Sequence, residues 1–371
     1  MSDLVPTIDA FRVPLEHTSD ASGLHRLIKE GRFRADDIIA VTGKTEGWQD
    51  DDTSRLDADR AIRGLLLDQG SRPAVDIGQI PMVFTAGGVG ILTPHIVVYT
   101  RTLGKPLAAD APRLTIGIAR SSLIRPEWMT THKVIEANAD TVRKAALDAN
   151  VDPGELEYVV GKTYFPTRQD FADARSAGHQ IPELENKALH RRASGAAGLG
   201  VAIAAEGMSM PKAEDVGERL DLWSGRAAIS ANEWEPVGGD GPQTQLIAFG
   251  NRSGAGGRLR VGHATMADML DVAALPRAIR RAGLDVNDGP LSQEHRDRII
   301  AVYVKHSVPV DGRLRGHRQV TENPEYGRQA KAALGGMFSA FLQDNHIWIS
   351  GSATHQGPAG GGTVAVVVDV S

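Results

Sequence analysis

Three times along the chain a helical run of apolar positions leads into a short, densely apolar stretch that ends on a lysine. The first is LHRLIKEGRF followed by DDIIAVTGKTEG, with Lys44. The second is DTVRKAALDAN followed by LEYVVGKTYFP, with Lys162, and the third is RDRIIAVYVKHS, with Lys305. Apolar residues at i, i+3 and i+4 predict amphipathic helices, and the short dense runs predict buried strands. After each lysine comes an alanine-rich helical stretch with an arginine at its start: SRLDADRAIRGLLLD with Arg55, RRASGAAGLGVAIAAEG with Arg192, and GRQAKAALGGMFSAFL with Arg328. Arg191 stands as an alternative to Arg192, because the register of that run is loose. A strand ending in a hydroxyl residue then follows, as MVFTAGG with Thr85, AAISAN with Ser230 and IWISGS with Ser350. The closing strands read VVYTR, TQLIAFGNR and VAVVVDV.

A local grammar repeated three times predicts an α+β fold of three structural repeats around a pseudo-threefold axis, with a central active site. The units run 1–104, 112–250 and 258–371, and the linkers are KPLAADAPR at 105–113 and NRSGAGGR at 251–258.

Composition narrows the function classes. The chain has 371 residues, of which 41% are apolar, enough for real cores. Its 41 Lys and Arg against 46 Asp and Glu leave a net charge of −5. That supplies no global field for a phosphate backbone, so nucleic acid is not an expected partner. Cysteine is absent, which removes disulfides, Cys nucleophiles and thiolate metal sites. The first residues carry no basic and apolar leader, and runs such as Thr363 to Val370 have strand length. A soluble, cytoplasmic protein with no membrane partner is the expectation. The glycine clusters GGVG at 87–90, GGDG at 238–241, GAGG at 254–257 and GGG at 360–362 sit at ends of apolar runs and predict strand-to-loop junctions. The twelve histidines form no H-E-x-x-H pattern, so no catalytic zinc is expected. GPAGGG lacks the G-K-[ST] ending of a phosphate loop.

Lys, Arg and a hydroxyl recurring in one order imply three sets of strand ends facing one cavity. Arginines there suit carbonyl oxygens. A lysine among like charges and away from water loses its proton easily and can then activate a serine hydroxyl. The N–H groups after the serine are natural oxyanion donors. The bland alternative is that these are recurring fold-stabilising polar residues.

The segments SDASGLHRLIKEG, DDIIAVTGKTEG, GILTPH, VRKAALDA, GLGVAIA, DGRLRG and SGSATHQGPAGGG at 350–362 make the chain resemble the ring-opening amidohydrolases, the cyanuric acid amidohydrolase and barbiturase family, over nearly its whole length. The resemblance implies three repeats around a central site and hydrolytic opening of a cyclic imide or ureide. It implies Ser230 and Lys162 as the catalytic pair. It also implies substrate contacts from Lys44, Lys305, Arg55, Arg192, Arg328, Thr85, Ala86, Ala231, Ser350 and Gly351. No cofactor is implied for the chemistry. A structural Mg or Ca ion is implied at Ala353, Gln356, Gly357, Pro358 and Gly361, and a homo-oligomer, a tetramer, is the implied assembly.

Five positions depart from the family pattern. Thr85 and Ala86 stand for Ser and Gly, Asn232 for Gly, Thr354 for Glu beside His355, and Ser307 for the glutamate that would be the cation's only charged ligand. His355 is expected to pack its loop. A ring-binding member without catalysis is the alternative function.

Overall fold

The computed structural model describes residues 4–47, 52–87, 90–106, 111–181, 185–232, 241–319 and 326–371, without the side chains of Tyr326 and Arg328. Parts of the GGVG and GGDG clusters therefore lie outside the described residues.

The first repeat comprises β1 (Val5–Pro14), α1 (Ser22–Lys29), β2 (Ile38–Lys44), α2 (Ser54–Gln69), α3 (Ala74–Gln79), β3 (Met82–Thr85) and β4 (His95–Gly104). The second comprises β5 (Arg113–Arg120), α4 (Lys133–Ala149), β6 (Leu156–Tyr164), α5 (Arg168–Ser176), α6 (Asn186–Glu206), β7 (Ala227–Asn232) and β8 (Gln245–Arg252). The third comprises β9 (Leu259–Met266), α7 (Ala274–Arg281), α8 (Gln293–Asp297), β10 (Ile299–His306), the small β11 (Arg313–Leu314) and β12 (His317–Arg318), α9 (Tyr326–Leu342), β13 (Trp348–Ser350) and β14 (Gly362–Asp369).

Each repeat builds one four-stranded sheet with the same connectivity, β1-β4-β2-β3, β5-β8-β6-β7 and β9-β14-β10-β13. The first strand pairs antiparallel with the last, the last pairs antiparallel with the second, and the second runs parallel to the third. The parallel pair needs a crossover, which α2, α6 and α9 supply. This is the predicted α+β architecture of three repeats.

The period of two along the strands divides each sheet between two cores. In β4, Val97 and Tyr99 face a core shared by all three repeats, while Ile96 and Val98 face the helices of their own repeat. In β14, Ala365 and Val367 face the shared core, and Val364, Val366 and Val368 face α7 and α9. β8 divides likewise, with Ile247 and Phe249 inward and Leu246 and Ala248 outward. Tyr303 ties the centre, bonding Thr42 Oγ1 at 2.9 Å and meeting the Tyr99 hydroxyl. Among the described residues no helix is long and apolar enough to cross a membrane.

Close helix–sheet packing uses glycine at matching places. A Cβ on Gly117 would lie 1.8 Å from the Ala145 carbonyl oxygen, and one on Gly262 would lie 2.3 Å from the Ala282 nitrogen. The obstructing atoms are backbone, so a side chain there must push α4 or α7 off its sheet. Gly117→Ala is expected to destabilise the protein by about 2 kcal/mol or more, read as a lower melting temperature in a calorimetric scan. Gly289→Ala, where a Cβ meets open space, is the control expected to leave the transition in place.

Candidate active site

Strand parity builds the site. Ala40 and Val160 face the shared core on β2 and β6, and Ala301 and Tyr303 do so on β10. Counting on by twos places Lys44, Lys162 and Lys305 on that same inward face at the strand ends. The parallel neighbours repeat the arrangement: Val83, Ala228 and Trp348 lie in the shared core, so Thr85, Ser230 and Ser350 follow inward. Register then pairs Lys44 with Thr85, Lys162 with Ser230, and Lys305 with Ser350.

These ends meet at a cavity of about 590 Å³ lined by Arg55, Thr85, Ala86, Lys162, Ser230, Ala231, Ser350 and Gly351, together with Asn232 and Ser352. Lys44 and Lys305 lie behind this lining, each buried. From the helices come Lys187 and His190 of α6 and Gly327 and Lys331 of α9. Arg328 belongs to the first turn of α9, and its side chain lies outside the described residues.

The three lysines are not equivalent. Lys305 Nζ lies 3.0 Å from Ser230 Oγ and 3.3 Å from Ser350 Oγ, and the two serine oxygens are 2.6 Å apart. Burial, aided by the charge of Lys331, pulls the Lys305 ammonium down to about 7. Lys44 is drawn down to about 7 by the same two causes, but its amine donates to the carbonyls of Thr45 at 2.8 Å and Gly87 at 2.7 Å. Lys162, the expected partner of Ser230, donates to Asn232 Oδ1 at 3.0 Å. Asn232 thus supplies a side-chain acceptor beside the cavity. The Thr85 hydroxyl donates to the Ile349 carbonyl at 2.9 Å.

One expectation is corrected. Arg192 does not line this cavity. Its guanidinium donates to the carbonyls of Met129 at 3.2 Å, Val216 at 3.2 Å and Ala213 at 2.6 Å, clamping neighbouring segments of its own repeat. Arg191 pairs with Glu218 at 2.8 Å. The physical reason is helix phase. α6 begins at Asn186, so both arginines lie more than a turn beyond its start, whereas Arg55 is the second residue of α2. The matching second residue of α6 is Lys187, which does line the cavity. His190, one turn on, is held neutral, its pKa lowered to about 4 mainly by burial and then by the charge of Lys305. Lys187, His190 and Lys331 are absent from the sequence expectations. The signal that could have found them is spacing of three from a cationic residue at a helix start, Lys187 to His190 and Arg328 to Lys331.

The residues implied as cation ligands do not fit a hard divalent ion. Gln356 Oε1 accepts from the Ile229 N–H at 2.6 Å, and its amide nitrogen donates to Ser194 Oγ and the Ile229 carbonyl. The Pro358 carbonyl accepts from Gly361 N–H at 3.0 Å, and the Gly361 carbonyl accepts from Ser307 N–H at 2.8 Å. Ser307 Oγ accepts from Gly360 N–H at 3.0 Å. The loop is knitted by hydrogen bonds where a cation would need free oxygens and a carboxylate. Ala353 and Gly357 lie in the same loop, and among the described residues no group of three or more His, Asp or Glu is placed to hold a metal. His355 packs this loop, its Nε2 accepting from Gly217 N–H at 2.7 Å and its Nδ1 donating to the Leu222 carbonyl at 2.5 Å.

Comparison with known proteins gives a consistent set of relatives. A family model described as "Amidohydrolase ring-opening protein" matches residues 9–369. The chain is 35% identical to Barbiturase 2 of a Nocardioides species, covering 98% of each chain. It is 32% identical to a cyanuric acid amidohydrolase of Bradyrhizobium diazoefficiens, covering 98% of this chain and 99% of that one. A solved cyanuric acid hydrolase structure superposes with a TM-score of 0.88 at 31% identity, covering 98% of this chain and 100% of that one. A second, from A. caulinodans, superposes at 0.85 and 26% identity, covering 99% of each.

Two outcomes test the loop. Exhaustive chelation is expected to leave the melting temperature within about 1 °C, since a bound ion would have raised it by mass action. Ser307→Ala is expected to lower stability by about 1–2 kcal/mol, the cost of orphaning partly buried backbone groups, in chemical denaturation.

Proposed function

This chain belongs to the ring-opening amidohydrolases, hydrolases of cyclic amides, and from that premise we propose that it opens a cyclic imide or ureide, barbiturate-like or cyanuric acid-like, through a serine nucleophile at Ser230. The observation that carries this reading is the buried chain Lys305 Nζ, Ser230 Oγ, Ser350 Oγ, with neighbouring atoms 3.0 and 2.6 Å apart.

The chemistry follows from the proton on Lys305. As an ammonium it donates to both serines. As an amine it accepts the Ser230 proton, while Ser350 donates to the Ser230 oxygen and keeps it in place. Ser230 then attacks a ring carbonyl carbon, and the proton on Lys305 is available to the ring nitrogen that leaves when the C–N bond breaks. Water hydrolyses the resulting ester and frees Ser230 with the opened product. A resonance-stabilised carbonyl needs both an activated nucleophile and positive charge where its oxygen becomes anionic. Arg55, Lys162 and the helix-start cation Lys187 line the cavity and supply that charge.

A second assignment of the base has its own support, because Lys162 is the register partner of Ser230. The substitutions separate the two. Ser230→Ala and Lys305→Met are expected to lower turnover by on the order of 10⁴-fold or more while ring binding persists, and Lys162→Met is expected to lose less. If Lys162→Met alone matches Ser230→Ala, the base is Lys162. The non-catalytic alternative is tested by a turnover screen against barbiturate, cyanurate and hydantoins, where no product from any ring would favour it. The retained Ser230–Lys305 contact argues for the enzyme, since a binder needs no nucleophile with its base.

The pH dependence has a definite sign. The reactive form is the amine, so kcat/KM is expected to rise with pH through a midpoint near 7, set by the lowered Lys305. A rate that falls across that range would refute the lysine's role. The assembly is proposed to be a homo-tetramer, and light scattering that gives a monomer would remove that part.

A further inference from the structure

Burial does not choose among the strand-end lysines. Lys44 and Lys305 are both lowered to about 7, mainly by desolvation, yet only Lys305 touches a serine. What differs is the residue two places beyond each strand-end hydroxyl: Gly87 after Thr85, Asn232 after Ser230 and Ser352 after Ser350. In the first repeat the Gly87 carbonyl accepts from Lys44 Nζ at 2.7 Å. In the second, the Asn232 carbonyl is taken by the Phe165 N–H at 2.7 Å, and the side-chain Oδ1 accepts from Lys162 Nζ at 3.0 Å. In the third, the backbone of Ser352 is left-handed, with φ 60°. Its carbonyl accepts from Ser194 Oγ at 3.1 Å and from the Thr354 N–H at 2.9 Å. That carbonyl is engaged by its own loop and by the second repeat, and Lys305 bonds the two serines instead.

We propose that Asn232 is a positioning residue that holds Lys162 off its register partner Ser230, and so leaves Ser230 to Lys305. The inference rests on the ring-opening reading and adds to it what selects the base. A hydrogen bond is directional, so an amine nitrogen aimed at an amide oxygen is not aimed at a hydroxyl, whereas a general base has to lie within bonding reach of the proton it takes. Reach itself does not exclude Lys162. Lys305 and Ser350 are neighbours in the parallel register of the third repeat, and their side-chain atoms lie 3.3 Å apart. Lys162 and Ser230 stand in the same register in the second repeat, so a lysine released from Asn232 has the same span to cover. The side chain at position 232 therefore decides between two lysines that could each serve one serine.

The test has a structural arm and a kinetic arm. A crystal structure of the Asn232→Ala protein is expected to show Lys162 Nζ within about 3.3 Å of Ser230 Oγ. In the kinetic arm the second change is made in Lys305→Met protein, whose turnover of barbiturate or cyanurate has been lost. Adding Asn232→Ala is expected to return at least about tenfold of that turnover, with Lys162 as the substitute base, and the regained rate is expected to rise with pH as an amine base requires. Adding Asn232→Asp, which keeps an acceptor for Lys162, is expected to return none. Asn232→Leu, similar in size to asparagine but without the acceptor, is carried in parallel, so that a folding defect in the alanine variant leaves the outcome decidable. Lys162 unmoved in the crystal, no turnover regained, or equal recovery with aspartate overturns the inference and leaves the ring-opening reading standing. Lys305→Met protein that keeps near-normal turnover overturns it too, because Lys162 would then already be the base. If the unaltered protein opens no ring in the screen, the ring-opening reading itself falls and the inference with it.

Discussion

An ammonium group cannot be sealed inside a protein cheaply, and Lys305 is sealed between two serines at the end of the core shared by all three repeats. Desolvation favours its amine form, and in the proposed mechanism that amine, beside a hydroxyl, is the base in contact with its nucleophile. The rest of the molecule serves to hold that contact. Three sheets of one connectivity face inward, each covered outside by its own helices, so that the second and third strands of every repeat run out together at one place. The inward residues change from apolar to polar where the shared core ends, and the cavity lies at that end.

Threefold repetition gives the site its plan, and departures from it give the site its direction. Register pairs every lysine with a hydroxyl, yet the hydroxyls have different partners. Thr85 donates to a carbonyl, while Ser230 and Ser350 share a lysine. Asn232 engages Lys162, and Lys331 of the third repeat donates to the Ala86 carbonyl of the first. On the proposed function, a ring held among these groups would meet three chemically distinct strand ends, and one carbonyl would be singled out for attack even if the ring is nearly symmetric.

Much of this was legible in the sequence because strands advertise themselves in short order. A lysine at the end of an apolar run and a hydroxyl at the end of the next carry their positions in the alternation of the residues before them. The helix-borne groups were less legible. The long body of α6 is so rich in alanine and glycine that its start is obscure in the sequence, which points to Arg192, whereas Lys187 lines the cavity. The glycines reflect contact: a Cβ on Gly198 would meet the His355 carbonyl oxygen at 2.6 Å, a constraint from a segment more than a hundred residues away. The contact of Lys305 with Ser230 is likewise beyond sequence reasoning. It depends on how side chains from different repeats reach across a shared end, which no local pattern records.

The central claim is that one cavity at the common strand ends holds the ring with a carbonyl presented to Ser230. A crystal structure of the Ser230→Ala protein with barbiturate bound tests it most directly. The account predicts the ring in this cavity, with one carbonyl carbon facing position 230 on the side of Lys305. A ring bound elsewhere, or bound here with its carbonyl carbon presented to Ser350 or Thr85 instead, would contradict it.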